Sequence, residues 1–419
     1  MKIFTEDDSF LSVAFALSPL RKRFEDAGQS LFLVGGVVRD LVSGRTTDNS
    51  DLDLTTDALP DRIRHLLADI ADTIWLQGER FGTIGARLGG RTLEITTHRS
   101  EAYWSDSRKP IVSYSRKLED DLTRRDFTVN AMAIDLISGT LHDPLGGQVD
   151  LKAGLLRTPL SPEESFSDDP LRMLRAARFL AAYGFTPAKG LMEGARAVVP
   201  RLGIVSAERI RDELSRLIVL PHPYEGFVFL KKTGQLRLLL PELAALPLQE
   251  QDQAFQRLSR IAPELDSRFA ALMLDIEVSL TDSRLRSLCF STATRVAVLE
   301  LLAGVTSICR HGDEDWSDES IRRLASKAKG RLDDFLTIAK SSGSSIDLLA
   351  AGIDRLRLEG VLEDWRPALD GFAVMDLLDL NPGPKVGEII DWLVELRFSD
   401  GFINREEASR RVRERWSKP

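Results

Sequence analysis

The sequence predicts an α+β protein, with a small N-terminal domain that mixes strands and helices and a helical remainder after it. Three observations carry this. Over the first ~140 residues, short apolar runs alternate with glycine punctuation at Gly28, Gly35-Gly36, Gly78, Gly82, Gly85 and Gly89-Gly90. From Gly146 onward the strand signals fade and helical periodicity takes over. At 419 residues the chain is also too long for one ordinary core, so two to four domains are expected.

Composition bounds the rest. Hydrophobic residues make up 43% of the chain and charged residues 29%, the balance of a globular rather than a disordered protein. No stretch approaches the roughly 20 apolar residues that span a bilayer, and the N-terminus MKIFTEDDSF is acidic without a signal-peptide core, so no membrane partner is expected. Cys289 and Cys309 are the only cysteines; they read as thiols, and the cytoplasm is the expected location. The net charge of −8 argues mildly against a nucleic-acid partner unless the arginines gather on one face.

The elements follow in order. Residues 1 to 30 read as an amphipathic helix with Phe10, Leu11, Ala14, Phe15 and Leu17 apolar. Leu31–Val34, stopped by Gly35-Gly36, reads as a buried strand, and Val37–Val42 as a short helix carrying Arg39 and Asp40. Paired glycines let a backbone approach a ligand, and free N–H groups at a helix start suit phosphate. In Asp51-Leu52-Asp53-Leu54, residues two apart on a strand share a side. Asp51 and Asp53 therefore project together, while Leu52 and Leu54 enter a core. Such a carboxylate pair suits magnesium, which takes one or two carboxylates plus substrate phosphates; a solvated strand end is the plainer alternative.

A helix over Asp61–Ile70 comes next, then strands at Thr73–Leu76, Thr83–Leu88 and Thr92–Thr96, the last two joined by a Gly89-Gly90 hairpin turn. Glu94 alternates with Leu93 and Ile95 and faces away from the core, as a third carboxylate beside the pair or as part of a solvated face. Ser100 to Arg116 reads as a long polar loop. It carries Tyr103, Trp104 and Tyr114 among Arg108 and Lys109, either a flap or a contact for single-stranded RNA. Arg124-Arg125-Asp126 offers guanidiniums for a triphosphate, or forms a surface ion-pair cluster.

The phrase GGVVRDLVSGRTTDNSDLDLTT resembles the motif of class II tRNA nucleotidyltransferases, the CCA-adding enzymes, and of the similar bacterial poly(A) polymerases. Their pattern of GGxVRD, a Gly-Arg, DxD and a Thr is kept in full. The resemblance extends to EITTHR, to RRDFTVNAMAID, to LHDPLGG with a structural His142, to DDPLRMLRAARF and to SAERIRDELSRLI. Asp168 stands where the family usually has Glu.

The resemblance implies a polymerase-beta-like nucleotidyltransferase head with a mixed sheet over residues 1–145, then an all-α neck over 146–220, body over 221–310 and tail over 311–419. It implies two magnesium ions at Asp51 and Asp53, with Glu94 at the third-carboxylate position. It makes Gly35, Gly36, Arg39, Arg124, Arg125, Asp169, Arg172, Arg175 and Arg178 nucleotide contacts. Asp169 and Arg172, three apart, would read the base: a carboxylate accepts from the amino group of cytosine or adenine, and an arginine donates to the ring acceptor beside it. At about 100° per residue Arg178 sits half a turn around the helix from Asp169, on the opposite side, which suits phosphate contact or neck packing better.

The expected activity is addition of CCA to the 3′ end of tRNA from CTP and ATP, with no protein partner. The alternatives are a poly(A) polymerase, a CC-adding or A-adding specialist, and a catalytically dead RNA-binding protein. Poly(A) polymerases of this kind typically carry a longer basic C-terminus than the closing INREEASRRVRERWSK, which favours tRNA. After residue 220 the chain reads only as helices, with core stretches at Leu236–Leu243, Phe269–Leu274 and Val296–Val305 and no HD metal-ligand cluster.

Overall fold

The computed structural model describes residues 8–45, 51–102, 111–312, 316–362 and 365–417. Tyr103, Trp104, Arg108 and Lys109 lie outside the described residues. The chain divides into two compact units, Met1–Ala244 and Ala245–Pro419.

The first unit opens on two helices, α1 (Asp8–Ala16) and α2 (Ser18–Asp26), where one was expected. Pro19 has no N–H to donate into a continuing helix and sits in the first turn of a new one, so the chain restarts at Leu17. The apolar stripe runs through both helices at Phe10, Val13, Leu17, Leu20 and Phe24, all buried, whereas Phe15 lies off it and is 82% exposed.

Next come β1 (Phe32–Val34), α3 (Gly36–Val42), β2 (Asp51–Thr56), α4 (Pro60–Leu67), β3 (Thr73–Trp75), β4 (Thr83–Leu88) and β5 (Arg91–Thr97). Then β6 (Arg99–Ala102) and β7 (Ile111–Tyr114) pair antiparallel, Arg99 opposite Tyr114, so the ends of the expected loop form a ladder. They lead to α5 (Leu118–Thr123), β8 (Ala133–Asp135) and β9 (Leu141–His142). The main sheet has seven strands in the order β3-β4-β5-β2-β1-β8-β9. It is mixed: β2 and β5 run parallel, while the other neighbours are antiparallel.

Alternation along β2 and β5 decides which face does what. Leu52, Leu54, Leu93 and Ile95 point into a core shared with α1, α2 and α4. Each such side chain is worth about 1.5–3 kcal/mol when fully buried, so the register is strongly fixed. Asp51, Asp53 and Glu94 are left on the opposite, exposed face.

Past Gly146 the unit is mostly helical: α6 (Gly147–Ala153), α7 (Pro162–Asp168), α8 (Leu171–Tyr183), α9 (Leu191–Val198), α10 (Ala207–Ile218) and α11 (Tyr224–Thr233). A two-residue parallel pairing of Leu155–Leu156 with Thr186–Pro187 interrupts the expected all-helical run. α8 packs against α10 and α11. Gly226 makes the second contact possible, since a Cβ there would stand 2.7 Å from the Ala177 carbonyl oxygen.

The second unit is helical throughout its described residues, from Leu248–Leu258 to Arg405–Trp416. Contrary to expectation, one helix, Thr292–His311, is long and apolar enough to cross a membrane by length and composition, with mean hydropathy 1.4. Here it serves as a core element, burying Val298, Leu301, Leu302, Val305 and Ile308. Gly304 admits the Phe335 ring against its backbone. Cys289 and Cys309 are free thiols.

Candidate active site

The site forms where β1 gives way to α3, beside β2 and β5. Asp53 stands directly opposite Glu94 and Asp51 opposite Thr92, so three carboxylates lie together on one sheet face. Desolvation raises the Asp53 carboxyl above its ordinary range; Arg125 opposes the rise and Asp51 adds to it. Glu94 is raised as well, by desolvation and then by repulsion from Asp53 and Asp51. A divalent cation among these oxygens relieves that repulsion. Among the described residues no group of three or more His, Cys, Asp or Glu side chains is placed to hold a metal by itself. Two hard carboxylate donors on one face, Asp51 and Asp53, fit a cation such as magnesium, which completes its shell with phosphate oxygens and water.

Gly35 closes the carboxylate face from the side. Its backbone has φ 76° and ψ −141°. A Cβ there would lie 3.1 Å from Asp53 Oδ2 and 3.6 Å from Arg125 Nη1. Gly36 begins α3. The helix then carries Arg39 inward rather than toward the carboxylates. Arg39 donates to Asp40 (2.9 and 3.0 Å) and to Asn130 Oδ1 (2.8 Å), and its guanidinium lies 4.4 Å from the centre of the Tyr183 ring.

The Arg124-Arg125-Asp126 segment is anchored by buried acids. Burial pushes Asp121 up, but the guanidiniums of Arg125 and Arg124 outweigh it and hold the carboxyl at about 2. Arg124 donates to Asp121 Oδ1 (2.5 Å) and Arg125 to Oδ2 (2.9 Å), which aims Arg125 along the edge of the carboxylate face. Asp126 is likewise held at about 2: burial raises it and Arg175 pulls it down further. Its Oδ2 accepts two bonds from Arg175 (2.8 and 2.6 Å).

Arg175 and Arg178 both reach Glu213 on α10, at 3.3 and 2.8 Å. Glu213, 3% exposed, also accepts from Arg216. α8 is thus tied on one side to the strand-rich part of the unit and on the other to α10.

Asp169 and Arg172 flank the start of α8. Asp169 lies in extended backbone just before the helix, and its Oδ1 accepts the Leu171 N–H at 3.2 Å. Pro170 takes the cap position, and the helix begins at Leu171. Arg172 is buried, with Nη1 on the carbonyl and hydroxyl of Ser165 and Nη2 on the carbonyl of Arg124.

The chain as a whole resembles known proteins. Residues 31–157 match the family described as "Poly A polymerase head domain". Residues 184–246 match "Probable RNA and SrmB- binding site of polymerase A". The CCA-adding enzyme of Lactobacillus helveticus is 30% identical over 406 residues, covering 96% of this chain and 97% of that one. This chain belongs to the CCA-adding enzyme family.

The CCA-adding enzyme of Geobacillus thermodenitrificans is 38% identical over 218 residues, 52% of each chain. The crystal structure of the Bacillus stearothermophilus CCA-adding enzyme in complex with CTP superposes with a TM-score of 0.77 at 25% identity, covering 98% of both chains. The Thermotoga maritima CCA-adding enzyme complexed with tRNA_CCA shares the fold, with a TM-score of 0.70 at 19% identity and 99% of this chain covered.

Sequence reasoning did not assign Asp121, Asn130, Tyr183, Arg209 or Glu213 a part in this site. Asp121 had a signal, since it stands three and four residues before two arginines on a short helix. Asn130, Arg209 and Glu213 lie in phrases that carry the family resemblance, but their pairing with Arg39, Asp169 and Arg178, 35 to 91 positions away, had no signal, and Tyr183 had none at all.

Proposed function

We propose that this chain extends the 3′ end of tRNA with C, C and A from CTP and ATP, releasing pyrophosphate at each step. The observation that carries the reading is the carboxylate face of Asp51, Asp53 and Glu94 beside Gly35 and Arg125, in a chain matched along its length by a CCA-adding enzyme. In each step the primer 3′-oxygen attacks the α-phosphorus, the bond to pyrophosphate breaks, and the hydroxyl proton is lost. Catalysis is then mostly positioning and charge neutralisation.

In this proposal Asp51 and Asp53 hold magnesium, which when bound neutralises the triphosphate and lowers the pKa of the primer hydroxyl. Glu94 sits across the strand pair from Asp53 and shapes the field there. The backbone at Gly35 and Gly36 lets the triphosphate come close, and Arg125, with Arg124 beside it, faces its oxygens. Asp169 accepts the amino group of C or A, and Arg172 donates to the neighbouring ring acceptor. Arg39, Arg175 and Arg178 meet Asn130, Asp126 and Glu213 and brace the site; Arg172 also meets protein groups, Ser165 and the Arg124 carbonyl, and reads the base through an N–H that those bonds leave over. The division into head, neck, body and tail belongs to this proposal, as does a cytoplasmic location.

The test is incorporation with magnesium into a tRNA transcript that lacks its terminal CCA, with an oligo(A) primer beside it. Addition that stops after C, C and A on the tRNA supports the proposal, and long A tracts would move the chain to poly(A) synthesis. Asp51→Ala and Asp53→Ala are expected to abolish turnover while RNA binding, followed by filter retention, persists. Turnover that survives either change would refute the metal assignment.

A further inference from the structure

Asp169 has partners beyond its own stretch of chain. Besides the Leu171 N–H, it takes both terminal nitrogens of Arg209: Nη1 reaches Oδ1 at 3.4 Å and Nη2 reaches Oδ2 at 2.8 Å. Arg209 stands in the first turn of α10, 40 positions along the chain. A paired fork of this kind fixes the plane of a carboxylate as well as its place. A carboxylate held by one backbone N–H alone is free to swing, because its terminal torsion is broad.

The number of acceptor positions matters. An ionised carboxylate offers about four lone-pair positions. Leu171 uses one and Arg209 two, which leaves a single acceptor whose direction Arg209 sets. One acceptor of fixed direction suits the one amino hydrogen that cytosine and adenine present outward on the pairing edge. Uracil and guanine put a carbonyl oxygen there, which faces the carboxylate without a proton between them. The second reader is clamped in a similar way, since Ser165 and the Arg124 carbonyl hold Arg172.

We propose that Arg209 is a positioning residue for nucleotide choice, clamping the Asp169 carboxylate so that its remaining acceptor admits C and A and rejects U and G. This rests on the reading of Asp169 as base acceptor. Arg209 acts through Asp169 and touches no substrate. Its side chain is 42% exposed, so its removal leaves the buried core intact.

The experiment uses the full-length enzyme and a tRNA primer, measuring kcat/KM for CTP, UTP, ATP and GTP with the wild type, Arg209→Ala, Arg209→Lys and Asp169→Ala. With Arg209→Ala, the C-to-U and A-to-G preferences are expected to fall roughly tenfold, since a carboxylate free to swing makes a weaker bond to the correct base. The fall should come mainly through KM for the correct nucleotide, with primer KM unchanged. Arg209→Lys, which keeps the charge but not the fork, should recover part of the preference. Equal losses for all four nucleotides, with the ratios intact, would mean a merely structural role and overturn the proposal. Asp169→Ala separates the two levels. If it leaves the ratios at wild-type values, the reading of Asp169 fails. If it collapses them while both Arg209 variants do not, only the role of Arg209 fails.

Discussion

Gly35 is the residue where backbone and chemistry meet most closely. Its φ of 76° with ψ of −141° lies in a region that side-chain-bearing residues avoid. The place its Cβ would take is bounded by Asp53 Oδ2 at 3.1 Å. Gly35→Ala therefore carries two penalties, strain of about 1–3 kcal/mol and a shift of the Asp53 carboxylate. Gly36 differs, because a Cβ there would meet only the flexible end of Arg39, at 3.4 Å. Gly35→Ala is expected to lower kcat/KM for CTP and ATP at least tenfold and to shift urea unfolding, whereas Gly36→Ala should be mild on both measures. Equal impairment in the two variants would count against the close approach as the reason for Gly35. The glycine pair was legible in the sequence as a strand end before a helix. Which glycine was indispensable was not, because that depends on where the fold places Asp53.

At the scale of elements, β2 and β5 were legible because they alternate, whereas the short strands β8 and β9 were not read from the sequence. Leu52 and Leu54 against Asp51 and Asp53 fixed one face of β2, and Leu93 and Ile95 against Glu94 fixed β5. The pairing of β6 with β7 was not legible in a polar stretch, and neither was the restart of the helix at Pro19. Arginines in motifs announce charge but not direction. Arg39, Arg175 and Arg178 all lie in phrases that suggest nucleotide contact, yet each is held by Asn130, Asp126 or Glu213.

That network gives α8 a definite pH dependence. Asp126 is held at about 2, against an ordinary value of 3.8. A carboxyl depressed in the folded state stabilises it fully above its unfolded pKa, and the contribution is lost as pH falls from 3.8 toward about 2. The size is roughly 2 kcal/mol, at 1.36 kcal/mol per unit. Asp126→Asn should lower unfolding free energy at neutral pH by about 3 kcal/mol, because Arg175 loses a buried partner. The gap to wild type should then narrow below about pH 4. Urea titrations from neutral to acid pH check this, and a gap that stays constant would refute the pairing as the source of stability.

At the scale of the whole molecule, the change from strands to helices at Gly146 was plain in the sequence, yet it falls inside the first compact unit, whose limit is Ala244. Composition marks a change of secondary structure, whereas compactness follows side chains such as Arg175 that tie α8 back to Asp126. Each unit has apolar residues of its own, among them Phe24, Leu33 and Leu52 in the first and Val374, Ile389 and Leu393 in the second. Two cores of this kind need not melt together. Calorimetry is expected to resolve two transitions. If the nucleotide site lies wholly in the first unit, CTP at about 100 times its Kd adds about 2.7 kcal/mol to that unit alone. That should raise its midpoint by about 5–10 °C and leave the other transition in place. Limited proteolysis at each plateau would assign the transitions. A single transition that CTP moves as a whole would show that the two units unfold as one cooperative body.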